Sequence, residues 1–448
     1  MGALGFLLLV IFSAVVFIII ATNYLNLHPL FALLISAFLV GFLTGMDAKA
    51  IVGLVTSGFG SMLSSIGLVI VFGTVIGVYV EKSGALDVLA TFISSLLGSR
   101  YTLASMTLLG AVVSVPVFCD SGFIILSKLS KALARKRGVS SASLSLGLAG
   151  GLYTTHTLIP PTPGPIAVAG TIQLSEYLGS IILTGLLVSI PVLLGCIVLA
   201  KKLGDKIEVS ENLHEEERKE SHMNVLWAIF PILLPILLIT LNSLFKMIFT
   251  QNIMLEIFGF VGSPVVALML GTLMAMVQVR NKFTIKERAQ FFKSGVEQAG
   301  PIVLITGAGG AFGAVLKGTD FSEVLATSLG IDSFSFPLLI LTAFALAAIL
   351  KTAQGSSTSA LVIASAILAP LIPEIGSASV FQLSLLVMAF GAGAMTVSHA
   401  NDSYFWVVTQ FSGFSVKQGY RGFTLMTLGQ GLITLLVTLS LYAVSTLF

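Results

Sequence analysis

Apolar runs close to twenty residues long recur along the whole chain, separated by short polar stretches. Leu4–Thr22, Leu30–Gly45, Ile181–Ala200, Val225–Leu241, Val261–Val277 and Thr424–Tyr442 are examples. As helices, such runs cross about 30 Å of hydrocarbon, which takes ~20 residues. Several of them make the bilayer the solvent of the whole fold, so the pattern predicts an all-α polytopic membrane protein. Continuous apolar runs, rather than ten-residue segments of alternating polarity, argue against an outer-membrane barrel. The first run lacks a basic segment before it and a small-residue cleavage pattern after it. It is read as the first retained helix rather than a secretion signal.

One hydrophilic segment, Lys201–His222, divides the chain near its middle. Its mixed charge fits a solvated cytoplasmic linker. The division gives an N-terminal membrane repeat over 1–200, the linker over 201–222 and a C-terminal membrane repeat over 223–448. The halves carry an internal similarity. Gly73 and Gly77 align with Gly309 and Gly313, and Asp87-Val88-Leu89-Ala90-Thr91 aligns with Glu323-Val324-Leu325-Ala326-Thr327 without a gap. Each half then continues through an apolar arm, a polar interruption, a second arm and a second interruption. The interruptions are Cys119–Gly122 and Thr154–Pro165 in the first half, and Gln354–Ser359 and Ser398–Ser403 in the second.

Lysine and arginine in short loops mark the cytoplasmic side. Lys128, Lys131, Arg135, Lys136 and Arg137 mark one loop; Arg280, Lys282, Lys286 and Arg288 a second; Lys417 and Arg421 a third. A consistent threading gives each half five crossings and one re-entrant hairpin. The first hairpin, about 101–135, opens to the cytoplasm and the second, about 335–372, to the outside. An odd number of crossings inverts the second copy, as in many secondary transporters. Both termini then lie outside, and the loop Asn23–Pro29 is cytoplasmic although it has no basic residue.

Composition sharpens this picture. Of 448 residues, 56% are hydrophobic and 10% charged, where a soluble domain carries about 25% charged residues. Mean hydropathy is +1.03. The net charge of +3 is too small to point to nucleic acid. Cys119 and Cys196 both lie in apolar stretches, so no disulfide framework is expected. Neither H-E-x-x-H nor G-x-S-x-G occurs, and no nucleotide-binding domain accompanies the spans. Metal sites, enzyme chemistry and ATP drive are therefore not expected.

The interruptions carry the candidate chemistry. A broken helix in lipid leaves N–H and C=O groups unpaired, at several kcal/mol each, unless protein or a cavity satisfies them. The usual reason to accept such breaks is a midplane site where half-helix N-termini face an anion. Asp120, in the first, is an intramembrane acid and a functional candidate by default. Pro160, Pro161, Pro163 and Pro165 end the helix carrying His156, an imidazole that either carries a proton or bonds the broken backbone as a neutral ring. Lys351 precedes the hydroxyl-rich tip Gly355-Ser356-Ser357-Thr358, where it attracts the anion or reaches to the interface. Ser398-His399-Ala400-Asn401-Asp402-Ser403 is the strongest signal, since five polar residues between apolar arms have no ready structural explanation. The glycines of Gly307–Ala311 are read as close helix packing rather than a phosphate loop.

The stretches FCDSGFIIL (118–126), THTLIPPTPGPIAVA (155–169), GAGGAF (307–312) and SHANDSYFW (398–406) resemble the gluconate permease family of proton symporters, within the ion transporter superfamily. The likeness spans nearly the whole chain with the motifs in order. It implies a proton-coupled importer of sugar acids in the bacterial inner membrane, built as a homodimer with a transport domain moving against a fixed scaffold. Two positions depart from the family pattern: Asp120 stands where Glu is usual, and Thr162 where His is common. They leave the substrate open among gluconate, other aldonates and shorter hydroxy acids, with D-serine, carried by some family members, as an alternative.

The expectation is a secondary active transporter for a small organic anion, using no cofactor beyond the proton gradient. Substrate contacts are assigned to Ser121, Gly122, Thr155, His156, Gly355, Ser356, Ser357, Thr358, Ser398, His399 and Asn401. Proton coupling is assigned to Asp120, His156, His399 and Asp402. A passive anion channel is a competing reading that would need a continuous polar path. Sodium coupling is a further alternative, because hydroxyls and unwound carbonyls also suit that ion.

Overall fold

The computed structural model describes residues 3–25, 27–96, 101–115, 117–209, 223–248, 253–319, 335–372, 378–400 and 402–447. Among these the regular elements are helices, and seven helical stretches are long and apolar enough to cross a membrane. The segment Glu323–Thr327, one side of the internal alignment, and Asn401 lie outside the described residues.

In the first half, α1 (Ala3–Asn23) and α2 (Pro29–Leu43) lead into α3 (Ala48–Met62). A π-helical turn, Leu63–Gly67, joins α3 to α4 (Leu68–Ser83), followed by α5 (Ala85–Leu96). Next come α6 (Thr102–Val113), α7 (Cys119–Arg137), α8 (Ser141–Leu158), α9 (Pro163–Thr171) and α10 (Leu178–Gly204). The second half holds α11 (Val225–Ile248), α12 (Ile253–Val261), α13 (Pro264–Val279), α14 (Ile285–Lys317), α15 (Phe336–Gln354) and α16 (Ser357–Leu368). It ends with α17 (Val380–Met395), α18 (Ser403–Ser412), α19 (Val416–Gly419), a second π-helical turn Tyr420–Thr424 and α20 (Leu425–Ser445). Helix α10 thus runs four residues into the hydrophilic segment that begins at Lys201.

Burial separates two kinds of helix. Leu183, Leu186, Leu187, Ile190, Leu194 and Val198 form an exposed apolar stripe on α10, the spacing of a helix facing lipid. Helix α8 is buried from Ala142 to Leu158 although it carries Ser, Thr, Tyr and His. Its neighbours are other helices rather than acyl chains, so hydroxyls are tolerated where a carbonyl lies in reach. Thr154 donates to Gly150 O at 2.8 Å and Thr157 to Tyr153 O at 3.0 Å.

With lipid tails as apolar as leucine, helix association relies on close packing and small residues. Helix α14 lies against α3 and α4, flanked by α2, and α13 packs on α4. A Cβ added at Gly310 would stand 2.6 Å from Gly58 O, so only glycine admits this α3–α14 approach. The glycine run beginning at Gly307 serves this packing, as its sequence suggested. Similar approaches join α8 to α6 at Gly151 and α17 to α15 at Gly393, where a Cβ would strike Thr107 O and Phe344 O. Within this frame α8 packs on α6 and α10, and α17 packs on α15 and α20. The halves then cross over: α7 packs on α18, and α9 packs on α16.

Candidate functional site

Four helices, α7, α9, α16 and α18, begin in the interior next to a break in the chain. Pro163 and Pro165 have no N–H, so the α9 terminus offers fewer donors to an anion than the other three. The α7 N-terminus has no side-chain cap, whereas α16 and α18 are capped from within. Ser356 Oγ accepts from Ser359 N at 3.2 Å at the start of α16, and Asp402 Oδ1 accepts from Tyr404 N at 3.0 Å at the start of α18. Gly355 terminates α15 with φ +81°, a left-handed conformation that glycine adopts without steric cost.

The centre of the site is an ion pair. Lys351, from the last turn of α15, places Nζ 2.6 Å from Asp402 Oδ2, and both side chains are buried. The same ammonium donates to Gly355 O and lies 5.8 Å from the centroid of the Tyr153 ring. Ser398 Oγ donates to Asp402 Oδ2. The aromatic surroundings are Tyr153, Tyr404, Phe123 and Phe423, with Tyr153 and Tyr404 ring centroids 5.2 Å apart. Both tyrosine hydroxyls are anchored across the halves, Tyr153 to Ala394 O at 3.3 Å and Tyr404 to Ala149 O at 3.0 Å. Lys351 therefore neither reaches the interface nor faces outward as a free cation.

The break between α17 and α18 is held from two sides. His399 Nε2 lies 2.8 Å from Thr352 O. A carbonyl only accepts, so that nitrogen carries the proton. Ser398 N donates to Thr427 Oγ1 at 3.0 Å, and Thr424 Oγ1 donates to Ser398 O at 2.6 Å, from the second π-helical turn and α20. Val397 sits at φ +54°. A β-branched residue in that region costs about 1–3 kcal/mol and persists only where its surroundings over-determine it, which these bonds do. π-Helical turns often mark functional segments, and here one buttresses the break.

Asp120, in the first turn of α7, is held differently. Ser403 Oγ donates to its Oδ1 at 3.3 Å and Cys119 Sγ lies 3.7 Å from its Oδ2. Among the described residues no basic side chain lies within ion-pair distance of it. Ser403 adjoins Asp402 in the chain, so the two acids stand at neighbouring helix starts. Ser121 shares this turn and is half-buried. Gly122 donates its N–H to Phe118 O at 2.9 Å, and a Cβ there would lie 2.7 Å from Leu152, so this glycine serves the packing of α7 on α8.

The remaining candidates separate by their partners. Thr155 spends its hydroxyl on Ala111 O at 2.8 Å, tying α8 to α6. His156 is buried with Nδ1 unpartnered, its ring 5.9 Å from that of Phe118. It borders a cavity of about 10 Å³ shared with Thr74, Thr162 and Pro161, room for about one water. Thr162 donates to Ile159 O at 2.5 Å. Ser357 and Thr358 are half-buried in the first turn of α16. Sequence reasoning left out Gln354, whose amide N and O are both buried without a partner at the end of α15. It also passed over Tyr153, Tyr404, Thr424 and Thr427. A lone Lys and a lone Asp in neighbouring apolar arms are the signal that the ion pair offered, since intramembrane charges seek each other.

A second cavity, of about 440 Å³, lies among the ends of α3, α9 and α14 and is lined by Ser61, Ser65, Gln173, Ser175, Glu176 and Lys317. Ser65 and Ser175 hydroxyls bridge part of it at 2.6 Å. Among the described residues no group of three His, Cys, Asp or Glu could hold a metal ion.

Paired interior helix ends, buried charge at the breaks and a shell of apolar helices define a multi-pass membrane transport protein. A profile of the GntP family permeases matches residues 6–444, and the chain belongs to that family. It is 33% identical to an uncharacterised permease of Haemophilus influenzae over 91% of this chain and 86% of that one. A gluconate permease of Pseudomonas aeruginosa is 30% identical, with 94% of each chain covered. The D-serine transporter DsdX of Escherichia coli is 30% identical over 92% of this chain and 93% of its own. The fold is similar to that of the crystal structure of the YdaH transporter of Alcanivorax borkumensis, described for its unusual topology. The TM-score is 0.66 at 15% identity, covering 93% of this chain and 98% of the other.

Proposed function

We propose that this permease imports a sugar acid or short hydroxy acid anion, such as gluconate, together with protons across the bacterial inner membrane. The observation that carries the reading is that α7 and α18 begin together in the interior at Asp120, an acid with no basic side chain within ion-pair distance among the described residues. N-terminal N–H groups at α7, α16 and α18 suit a carboxylate, while Asp120 offers a place for the proton. Hydroxyls at Ser121, Ser356 and Thr358, with the free amide of Gln354, suit a polyhydroxylated chain. A sugar acid asks for both kinds of partner.

The supporting frame is a pair of inverted repeats, each with five crossings and one re-entrant hairpin (α6–α7 and α15–α16). Matched packing of α6 on α8 and α15 on α17, and the exchange of α7–α18 for α9–α16, are what such a relation produces. Sidedness follows from α9. Gly170 approaches Met62 and Ile66 while Gly73 approaches Pro161, so α9 runs against α3–α4, and α4 ends on the side from which α8 enters. Tyr79 donates to Arg288 O at 2.7 Å and Lys282 to Ser83 O at 3.3 Å, placing the start of α14 on that side too. The three basic loops then share the cytoplasmic face, and the 440 Å³ cavity faces outward. A membrane-impermeant maleimide on intact cells should label a cysteine at Ser65 and spare one at Lys128. Labelling of both from outside would overturn the inverted arrangement.

The functional test is uptake of labelled gluconate into proteoliposomes under an inward proton gradient without sodium. Accumulation that collapses with a protonophore is expected. In the same assay Gln354→Leu should raise KM about three- to tenfold, the worth of one or two hydrogen bonds, without loss of thermal stability. D-serine is the second reading, favoured by the DsdX relative. Uptake of D-serine and none of gluconate would replace the first reading with it.

A further inference from the structure

Two acids stand at the interior breaks, and the fold treats them differently. Asp402 has a dedicated cation, a dedicated serine and a capping role. Lys351 Nζ lies 2.6 Å from it, Ser398 donates to the same oxygen, and its other oxygen accepts from Tyr404 N. Asp120 has two weak hydroxyl and thiol contacts. The other titratable groups around the breaks that hold the two acids are Cys119 on α7, Tyr153 and His156 on α8, Tyr404 on α18, and His399 in the break. Cys119 and the tyrosines are neutral groups in a buried environment. A protonated His156 would bury an unpaired N–H, which is costly. His399 already donates from Nε2 to Thr352 O, and a neutral ring satisfies that bond.

We propose that Lys351 locks Asp402 out of proton traffic, leaving Asp120 as the one acid that titrates during transport, so that one proton accompanies each substrate anion and transport is electroneutral. This rests on the import of an organic anion proposed above. The charge count is closed. Empty, the site holds Lys351 as a cation and Asp402 and Asp120 as anions, a net charge of −1. Loaded, a proton from the entry side binds the Asp120 carboxylate and the substrate brings its own negative charge, again a net −1. The proton leaves to the exit side with the substrate. Both forms that cross the low-dielectric region therefore carry the same charge, and the membrane potential does no net work on a full cycle. Were Asp402 also to titrate, a second proton would enter and one positive charge would move per cycle.

The experiment uses the full chain in proteoliposomes with labelled gluconate, or D-serine if that is the substrate imported. A pH gradient is imposed with the potential clamped, and in parallel a potential with no pH gradient. For an anion, one pH unit should give about tenfold accumulation, and an inside-negative potential of about 60 mV, worth tenfold per net charge, should give none. Accumulation driven by the potential alone would overturn the one-proton assignment while leaving proton-coupled anion import standing. Counterflow exchange without a response to either gradient would overturn proton coupling and this inference with it. For zwitterionic D-serine the same single proton predicts a response to both gradients, and a response to the pH gradient alone would overturn it. The double variant Lys351→Met/Asp402→Asn separates the two acids. It should regain at least several-fold more uptake than either single variant and keep the parent's response to each gradient. A double variant that transports without any pH response would place the proton on Asp402 and refute the lock.

Discussion

Lys351→Met is expected to destabilise the protein by about 3–5 kcal/mol, the cost of leaving one charge of a buried pair without its partner. Methionine fills much the same volume, so the effect isolates charge from packing. With the ammonium gone, Asp402 keeps Ser398 and the Tyr404 N–H, which cap α18 but do not neutralise the carboxylate. Gly355 O loses its donor as well. The break between α17 and α18 and the end of α15 are then no longer held together by the ion pair, although the contact of His399 with Thr352 O remains. Thermal unfolding of detergent-solubilised protein, followed by loss of the monodisperse species, measures this. Asp402→Asn should also destabilise, since it strands Lys351, although asparagine still caps a helix well. The pair removed together, Lys351→Met with Asp402→Asn, should recover most of the loss, because a buried pair replaced as a unit costs little. A single variant as stable as the parent would mean that water reaches the pair and that it contributes nothing to the fold.

The ion pair also marks where sequence reading stops. The breaks themselves were legible. Prolines 160, 161, 163 and 165 end α8 after Leu158 and start α9, because proline lacks the N–H that a continuing helix needs and fits its first turn. Gly355 followed by serines reads as a helix stop and a new cap, and α15 and α16 meet there. The packing role of the glycine run at Gly307–Ala311 followed from its lack of a phosphate-binding context. Partnership across the break was not legible. Lys351 and Asp402 are fifty-one residues apart, and nothing local says that the lysine turns inward rather than toward the interface. Periodicity also cannot tell a hydroxyl that faces substrate from one that ties two helices. Thr155 reads like Ser121, yet its hydroxyl is taken by Ala111 O. The amide of Gln354 shows the reverse. In sequence it is one polar residue in a polar stretch, and only the fold leaves both its ends without a protein partner.

Asp120→Asn should abolish the response of uptake to the proton gradient while leaving exchange intact. The substitution keeps the size of the side chain and an oxygen that accepts from Ser403, so the start of α7 and its contact with α18 should survive. What it removes is the ability to bind and release a proton. A gradient of one pH unit is worth about 1.4 kcal/mol, or tenfold accumulation for one proton, and the variant's accumulation ratio should fall to about one. Counterflow, in which unlabelled substrate inside draws labelled substrate in, needs binding and site exposure but no net proton movement. It should persist within several-fold of the parent, because a neutral residue at 120 mimics the protonated, substrate-loaded form. The return of the empty carrier should be affected too, since the site would cross without its usual net negative charge. Asp120→Glu is the partner experiment. It restores a titratable group on a longer arm and should recover pH-driven uptake with altered KM. If Asp120→Asn accumulates substrate with the gradient as well as the parent does, the proton resides elsewhere, and His156 with its unpartnered Nδ1 becomes the next residue to substitute.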